Sequence, residues 1–148
     1  MVVVYHKNGP IEYKEFSNFY PCTVVYQRTV FQSSEQAYQW AKAATSEDRA
    51  RVERTANGAA AKKVGKAITK RPRWNQVKIQ VMRDVLLCKF VQNEVLADLL
   101  VGTGTHPIVE LAPWGDKFWG CDSAGQNQLG LALEAVREIL RAERALFG

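Results

Sequence analysis

The chain has 148 residues, 47% of them hydrophobic and 24% charged, with a formal net charge of +5. That length suits one compact domain, residues 1–148, able to bury about 68–70% of the surface its unfolded chain exposes, and the positive charge favours an anionic partner. Three widely spaced cysteines, no C-x-x-C pair and only two histidines argue against a disulfide framework or a structural metal site, so free and mostly buried thiols are expected.

The N-terminal "VVVYH" is a strand pattern, and Asn8-Gly9 is a turn signal. Pro10 makes the next strand an edge strand or a late starter. "FSNFYPC" has no clean period and reads as an ordered loop. "TVVYQRTVF" reads as a hairpin turning at Gln27-Arg28. Three valines near the start are too few for a signal h-region, and no apolar run reaches membrane-span length, so a soluble cytoplasmic protein is expected.

From Ser33 the chain reads as mainly helical. Ser33 and Gln36 form a capping-box pattern. A second helix is expected over residues 46–57 with a stop at Gly58, and a short basic third over residues 59–69, closed by Pro72. The longest helix starts near Trp74, with Val77, Val81, Val85 and Cys88 near one face. "EVLADLLVG" is a further helix after Asn93, and "PIVEL" a short strand. "APWGDKFWGCDSAGQNQLG" is too rich in glycine and aromatics for a regular element. The last helix carries Leu129, Leu133, Val136 and Leu140 on one face.

The first helix carries two stripes. Glu35, Tyr38, Gln39 and Lys42 share one face, and Ala37, Trp40, Ala41 and Ala44 share another, about 200° away. An amphipathic surface helix would put the first stripe in water. The alternative has it lining a cleft, with Glu35 as a carboxylate, Lys42 as amine or anion anchor and Tyr38 as a stacking face.

Other clusters carry chemistry too. Trp114, Asp116, Phe118, Trp119 and Asp122 sit in a glycine-rich loop whose rings could stack on a base or could pin the loop to the core. Asn127 is placed to cap the last helix, whose free N–H groups suit an anion. The basic run from Lys62 to Trp74 is either a solvated face or a site for phosphate or single-stranded nucleic acid.

In order along the chain, "FSNFYPC", "FQSSEQAYQWAKA", "AKKVGK", "WNQVKIQVM", "KFVQN" with "LLVGTG", "IVELAP", "DKFWG" and "GQNQLGLALEAVR" resemble the NADAR, or YbiA-like, family over nearly the whole length. The resemblance implies a single α+β domain, mostly helical with a small antiparallel-type sheet from the N-terminal third. It implies a metal-independent N-glycosidase with no cofactor. The implied substrates are ribosyl-phosphate compounds, such as the riboflavin-pathway intermediate 5-amino-6-(5-phosphoribosylamino)uracil, or ADP-ribose on guanine, including ADP-ribosylated nucleic acid. The catalytic candidates it carries over are Glu35, Asp116 and Lys42. The substrate-binding candidates are Asn18, Tyr38, Trp74, Trp119 and Asn127. Which carboxylate is the acid, and whether Lys42 is nucleophile or phosphate anchor, stay open at this level. The rival readings are a non-catalytic ADP-ribose reader and a nucleic-acid module built on the Lys62 to Trp74 run.

Overall fold

The computed structural model describes residues 2–6, 9–111, 116–121 and 125–148. Asn8 of the expected first turn, and Trp114 and Asp122 of the aromatic loop, lie outside them. The chain divides into two compact units, one made of Met1–Ser17 with Asn93–Gly148 and the other of Asn18–Gln92. The fold is α+β: among the described residues there are six α-helices, one short 3-10 helix and two small antiparallel sheets.

In the discontinuous unit, β1 (Val2–His6) pairs antiparallel with β2 (Gly9–Glu12), placing His6 opposite Gly9 and Tyr5 opposite Pro10. Strand β2 is an edge of its sheet, where proline's missing N–H costs no ladder bond. The other neighbour of β1 is a segment about a hundred residues on. The expected sheet of the N-terminal third therefore gains a strand from "PIVEL", in which Ile108 and Glu110 lie opposite Val4 and Val2. Among the described residues, this unit also holds two α-helices, Glu94–Gly102 and Gln128–Phe147. The second buries Leu129, Leu133, Val136 and Leu140, the face its periodicity predicts.

In the continuous unit, β3 (Val24–Tyr26) and β4 (Thr29–Phe31) form the expected hairpin. Gln27 and Arg28 both take left-handed φ values, 48° and 64°, as a two-residue turn matched to strand twist demands. Four helices follow: α1 (Ser34–Lys42), α2 (Ser46–Glu53), α3 (Gly58–Gly65) and α4 (Trp74–Val91). With these ranges given, the helices Glu94–Gly102 and Gln128–Phe147 are α5 and α6, and Ile108–Glu110 is β5.

The helix boundaries at Gly58 and Thr69 differ from expectation. Helix α2 ends at Glu53, and Gly58 opens α3 instead of stopping its predecessor. The cause is Asn57, whose Oδ1 accepts the Ala60 N–H at 2.8 Å and caps α3. After α3 the chain leaves the helix early because it pairs with the end of α1. The Ala44 N–H donates to the Thr69 carbonyl (2.9 Å) and the Arg71 N–H to that of Lys42 (2.8 Å).

Only half of the expected capping box forms. The Gln36 N–H donates to Ser33 Oγ at 3.1 Å. The Gln36 amide instead accepts from the Gln32 N–H and donates to the carbonyls of Val52 and Thr55, tying the start of α1 to the end of α2. The three cysteines are free and only partly exposed. Among the described residues, no helix is long and apolar enough to cross a membrane.

Candidate active site

Helix α1 is the axis of the continuous unit, and all nine of its residues are buried. Neither stripe faces water. On one side Trp40 lies edge-on to Phe31 (5.4 Å) and Tyr26 (6.3 Å), with the Arg49 guanidinium 4.1 Å from its ring centroid. On the other, Glu35, Tyr38, Gln39 and Lys42 are between 5% and 9% exposed. Ala44, at the end of the apolar stripe, is exposed because α1 stops at Lys42.

Two glycines let α3 lie against that polar stripe. A side chain at Gly58 would collide with Phe19 and reach the Cβ of Glu35. One at Gly65 would overlap the amide of Gln39. Tyr38 meets Trp74, the first residue of α4, with ring centroids 5.2 Å apart.

The polar groups of the stripe also bear on one another. Gln39 Nε2 donates to Glu35 Oε1 at 2.8 Å. Burial pushes the Lys42 amine below the ordinary lysine value, the charge of Lys70 pushes it further, and Glu35 pulls it back up. Lys70 is present because the chain after α3 bridges to Ala43 beside Lys42. The arrangement is therefore a buried carboxylate and a buried amine poised towards its neutral form, which suits nucleophilic or acid–base work.

Asn18 anchors the entrance to this helix. Its backbone carbonyl accepts the Glu35 N–H (3.0 Å), its Oδ1 accepts from Ser34 Oγ (2.7 Å), and its Nδ2 lies 3.4 Å from Met82 Sδ. Phe19, next in the chain, is 44% exposed beside Gly58, with the Lys62 ammonium 5.6 Å from its ring. Sequence reasoning passed over Phe19, Gln39 as a partner of Glu35, and Gly65. The glycines at both ends of "GAAAKKVG" were the available signal.

The other candidates belong to the discontinuous unit. Asp116 Oδ1 accepts the N–H groups of Phe118 (3.1 Å) and Trp119 (2.9 Å), closing a turn. The Trp119 ring is edge-on to Phe118 at 4.7 Å. Asn127 stands at the expected cap position with φ 52°, but its side chain does not cap α6. It bridges to β5 instead, with Oδ1 accepting the Glu110 N–H (3.0 Å) and Nδ2 donating to the Ile108 carbonyl (2.9 Å). Glu35 and Lys42 thus lie in one unit, and Asp116, Trp119 and Asn127 in the other.

Comparison with known proteins converges. Residues 4–141 match the NADAR domain family. A Nostoc punctiforme protein named as an N-glycosidase is 36% identical over 140 residues, covering 90% of this chain and 89% of that protein. The N-glycosidase YbiA of Escherichia coli is 33% identical over 139 residues, covering 90% and 85%. A riboflavin biosynthesis protein of Vibrio vulnificus is 35% identical over 129 residues, 84% of this chain but 35% of that protein. The NMR structure of E. coli YbiA superposes with a TM-score of 0.81 at 31% identity, over 88% of this chain and 80% of that one.

Proposed function

The chain belongs to the NADAR domain family, and from that premise we propose that it is a single-domain, metal-independent N-glycosidase that cleaves the bond between a base or amine and C1 of a phosphorylated ribose. The observation that carries the chemistry is the buried pair on α1: Glu35, and a Lys42 amine pushed towards neutrality by burial and by Lys70.

Cleavage of a ribosyl C1–N bond develops positive charge on C1 and the ring oxygen. The Glu35 carboxylate stabilises that charge. The neutral Lys42 amine attacks C1, and the departing nitrogen takes a proton from a general acid. The ring then opens, the ring oxygen gains the proton lost by the amine, and a protonated Schiff base to Lys42 results. Water adds to it, returns the amine and releases the sugar phosphate. Asp116 is a further catalytic candidate carried over by the family resemblance, and its Asn variant is expected to lose turnover.

A small-molecule ribosyl phosphate is the favoured substrate class, in keeping with the relative named for riboflavin biosynthesis. The nucleic-acid reading of the basic run relies on Trp74 as a stacking platform, but that ring is 5% exposed and packed on Tyr38.

The test incubates the protein with N-ribosyl phosphates and with ADP-ribosylated guanosine, with and without a chelator, and follows released base by chromatography. Release from the ribosyl phosphates that survives chelation is expected. Activity lost to the chelator and restored by zinc would refute the metal-independent reading. Borohydride added during turnover is expected to leave a sugar adduct on Lys42, visible by mass spectrometry, and Lys42→Arg to be inactive, because guanidinium forms no Schiff base. An active Lys42→Arg enzyme without adduct would reduce Lys42 to a phosphate anchor.

A further inference from the structure

We infer that Gln39 is a positioning residue for the Glu35 carboxylate, held in place by the missing side chain of Gly65; this rests on the catalytic reading of Glu35. Three observations meet at Gln39. Its Nε2 donates to Glu35 Oε1 at 2.8 Å, one helical turn away on the same face. Its Oε1 is buried and has no hydrogen-bond partner among the described residues. A Cβ at Gly65 would overlap that same Oε1.

The second and third of these carry a cost in stability. A buried carbonyl oxygen without a donor is unfavourable, and native structures keep few of them. The reversed amide would turn Oε1 onto a carboxylate oxygen, so the Glu35 bond fixes which way the amide points. Glycine in a helix is also less favourable than alanine. Gly65 does not need left-handed backbone, because among the described glycines only Gly104 has positive φ. What Gly65 supplies is room for the amide of Gln39.

The arrangement gives Glu35 a fixed donor from a rigid helix. The donor sets the rotamer of the carboxylate that stabilises a cationic transition state. Gln39 itself touches no reacting atom and acts through Glu35.

The test measures kcat, KM and melting temperature for Gln39→Met, which keeps length and apolar volume but removes the donor. The expected result is a fall in kcat of about tenfold, the size of one charge-assisted hydrogen bond, with KM within about twofold and little change in melting temperature. Gly65→Ala is read in parallel. It leaves Gln39 in the chain, displaces its amide, and is expected to lower kcat in the same way while improving helix propensity. Should Gln39→Met fail to fold, Gly65→Ala carries the test. Glu35→Gln completes the series. An inactive Glu35→Gln beside near-wild-type Gln39→Met and Gly65→Ala would overturn the positioning role alone. A near-wild-type Glu35→Gln would overturn the catalytic reading and this inference together.

Discussion

The two units use buried polar groups in opposite ways. In the discontinuous unit Asn127 and Arg137 spend their side chains largely on backbone. Asn127 holds both Glu110 and Ile108 of β5. Arg137, 3% exposed, donates from its terminal nitrogen to Thr103 Oγ1 (2.9 Å) and the His106 carbonyl (2.7 Å), leaving its Nε without a partner. In the continuous unit Gln36 of α1 also bonds backbone, but the polar side chains on the Glu35 face of that helix bear on one another: Gln39 donates to Glu35, and Lys42 lies in the fields of Glu35 and Lys70. Groups bonded to backbone hold a shape. Charged groups buried beside one another have shifted protonation, and that is what the proposed chemistry at a ribosyl carbon requires.

The largest effect that sharpens the contrast comes from the apolar side of α1. Trp40→Ala should destabilise the protein by about 3–5 kcal/mol, since the ring is buried among Phe31, Tyr26 and Arg49. Denaturant unfolding measures it, and a loss below about 1 kcal/mol would mean that this stripe does not anchor the helix.

Next comes the polar side of the same helix. Glu35→Gln keeps the shape and removes the charge, so turnover should drop about a hundredfold or more while melting changes little. Steady-state kinetics beside a thermal melt reads both. A variant within a few-fold of wild type would make Glu35 a merely structural partner of Gln39.

Asn127→Ala tests the other unit. It leaves the Glu110 N–H and the Ile108 carbonyl without their partner, and places alanine at φ 52°. A stability loss of about 1–3 kcal/mol is expected, with turnover per folded molecule largely kept. The contrast between the units would break if this variant melted like wild type but lost activity.

The smallest effect is a pH dependence. The Lys42 amine in the folded protein titrates below its ordinary value. Below that folded value both the folded and unfolded chains hold the proton, and the cost of burying the charge is complete. Between the folded and the ordinary value the unfolded chain binds more protons, so stability rises with pH. Lys42→Met should therefore raise the melting temperature most below the folded value of the amine, with a gain that shrinks as pH climbs from there towards the ordinary lysine range of about 10.4. A gain independent of pH would place the amine in solvent.

Local chemistry determined much of this protein from sequence alone. The hairpin at Gln27-Arg28, the Ser33 cap, the start of α4 at Trp74 and the apolar face of α6 all follow from interactions within a few residues. The ordered motifs identified the family, and with it the candidates Glu35 and Lys42. Tertiary structure decided what short range cannot encode. Strand β5 joins β1 across a hundred residues. Gly58 opens a helix instead of ending one, because Asn57 caps it and a side chain there would meet Phe19. Above all, a helical pattern says which residues share a face but not what covers that face. Here α3 and α4 cover the polar stripe, through Gly58, Gly65 and Trp74. A stripe that periodicity alone would give to water is thereby buried, and burial is what shifts the proton affinity of Lys42.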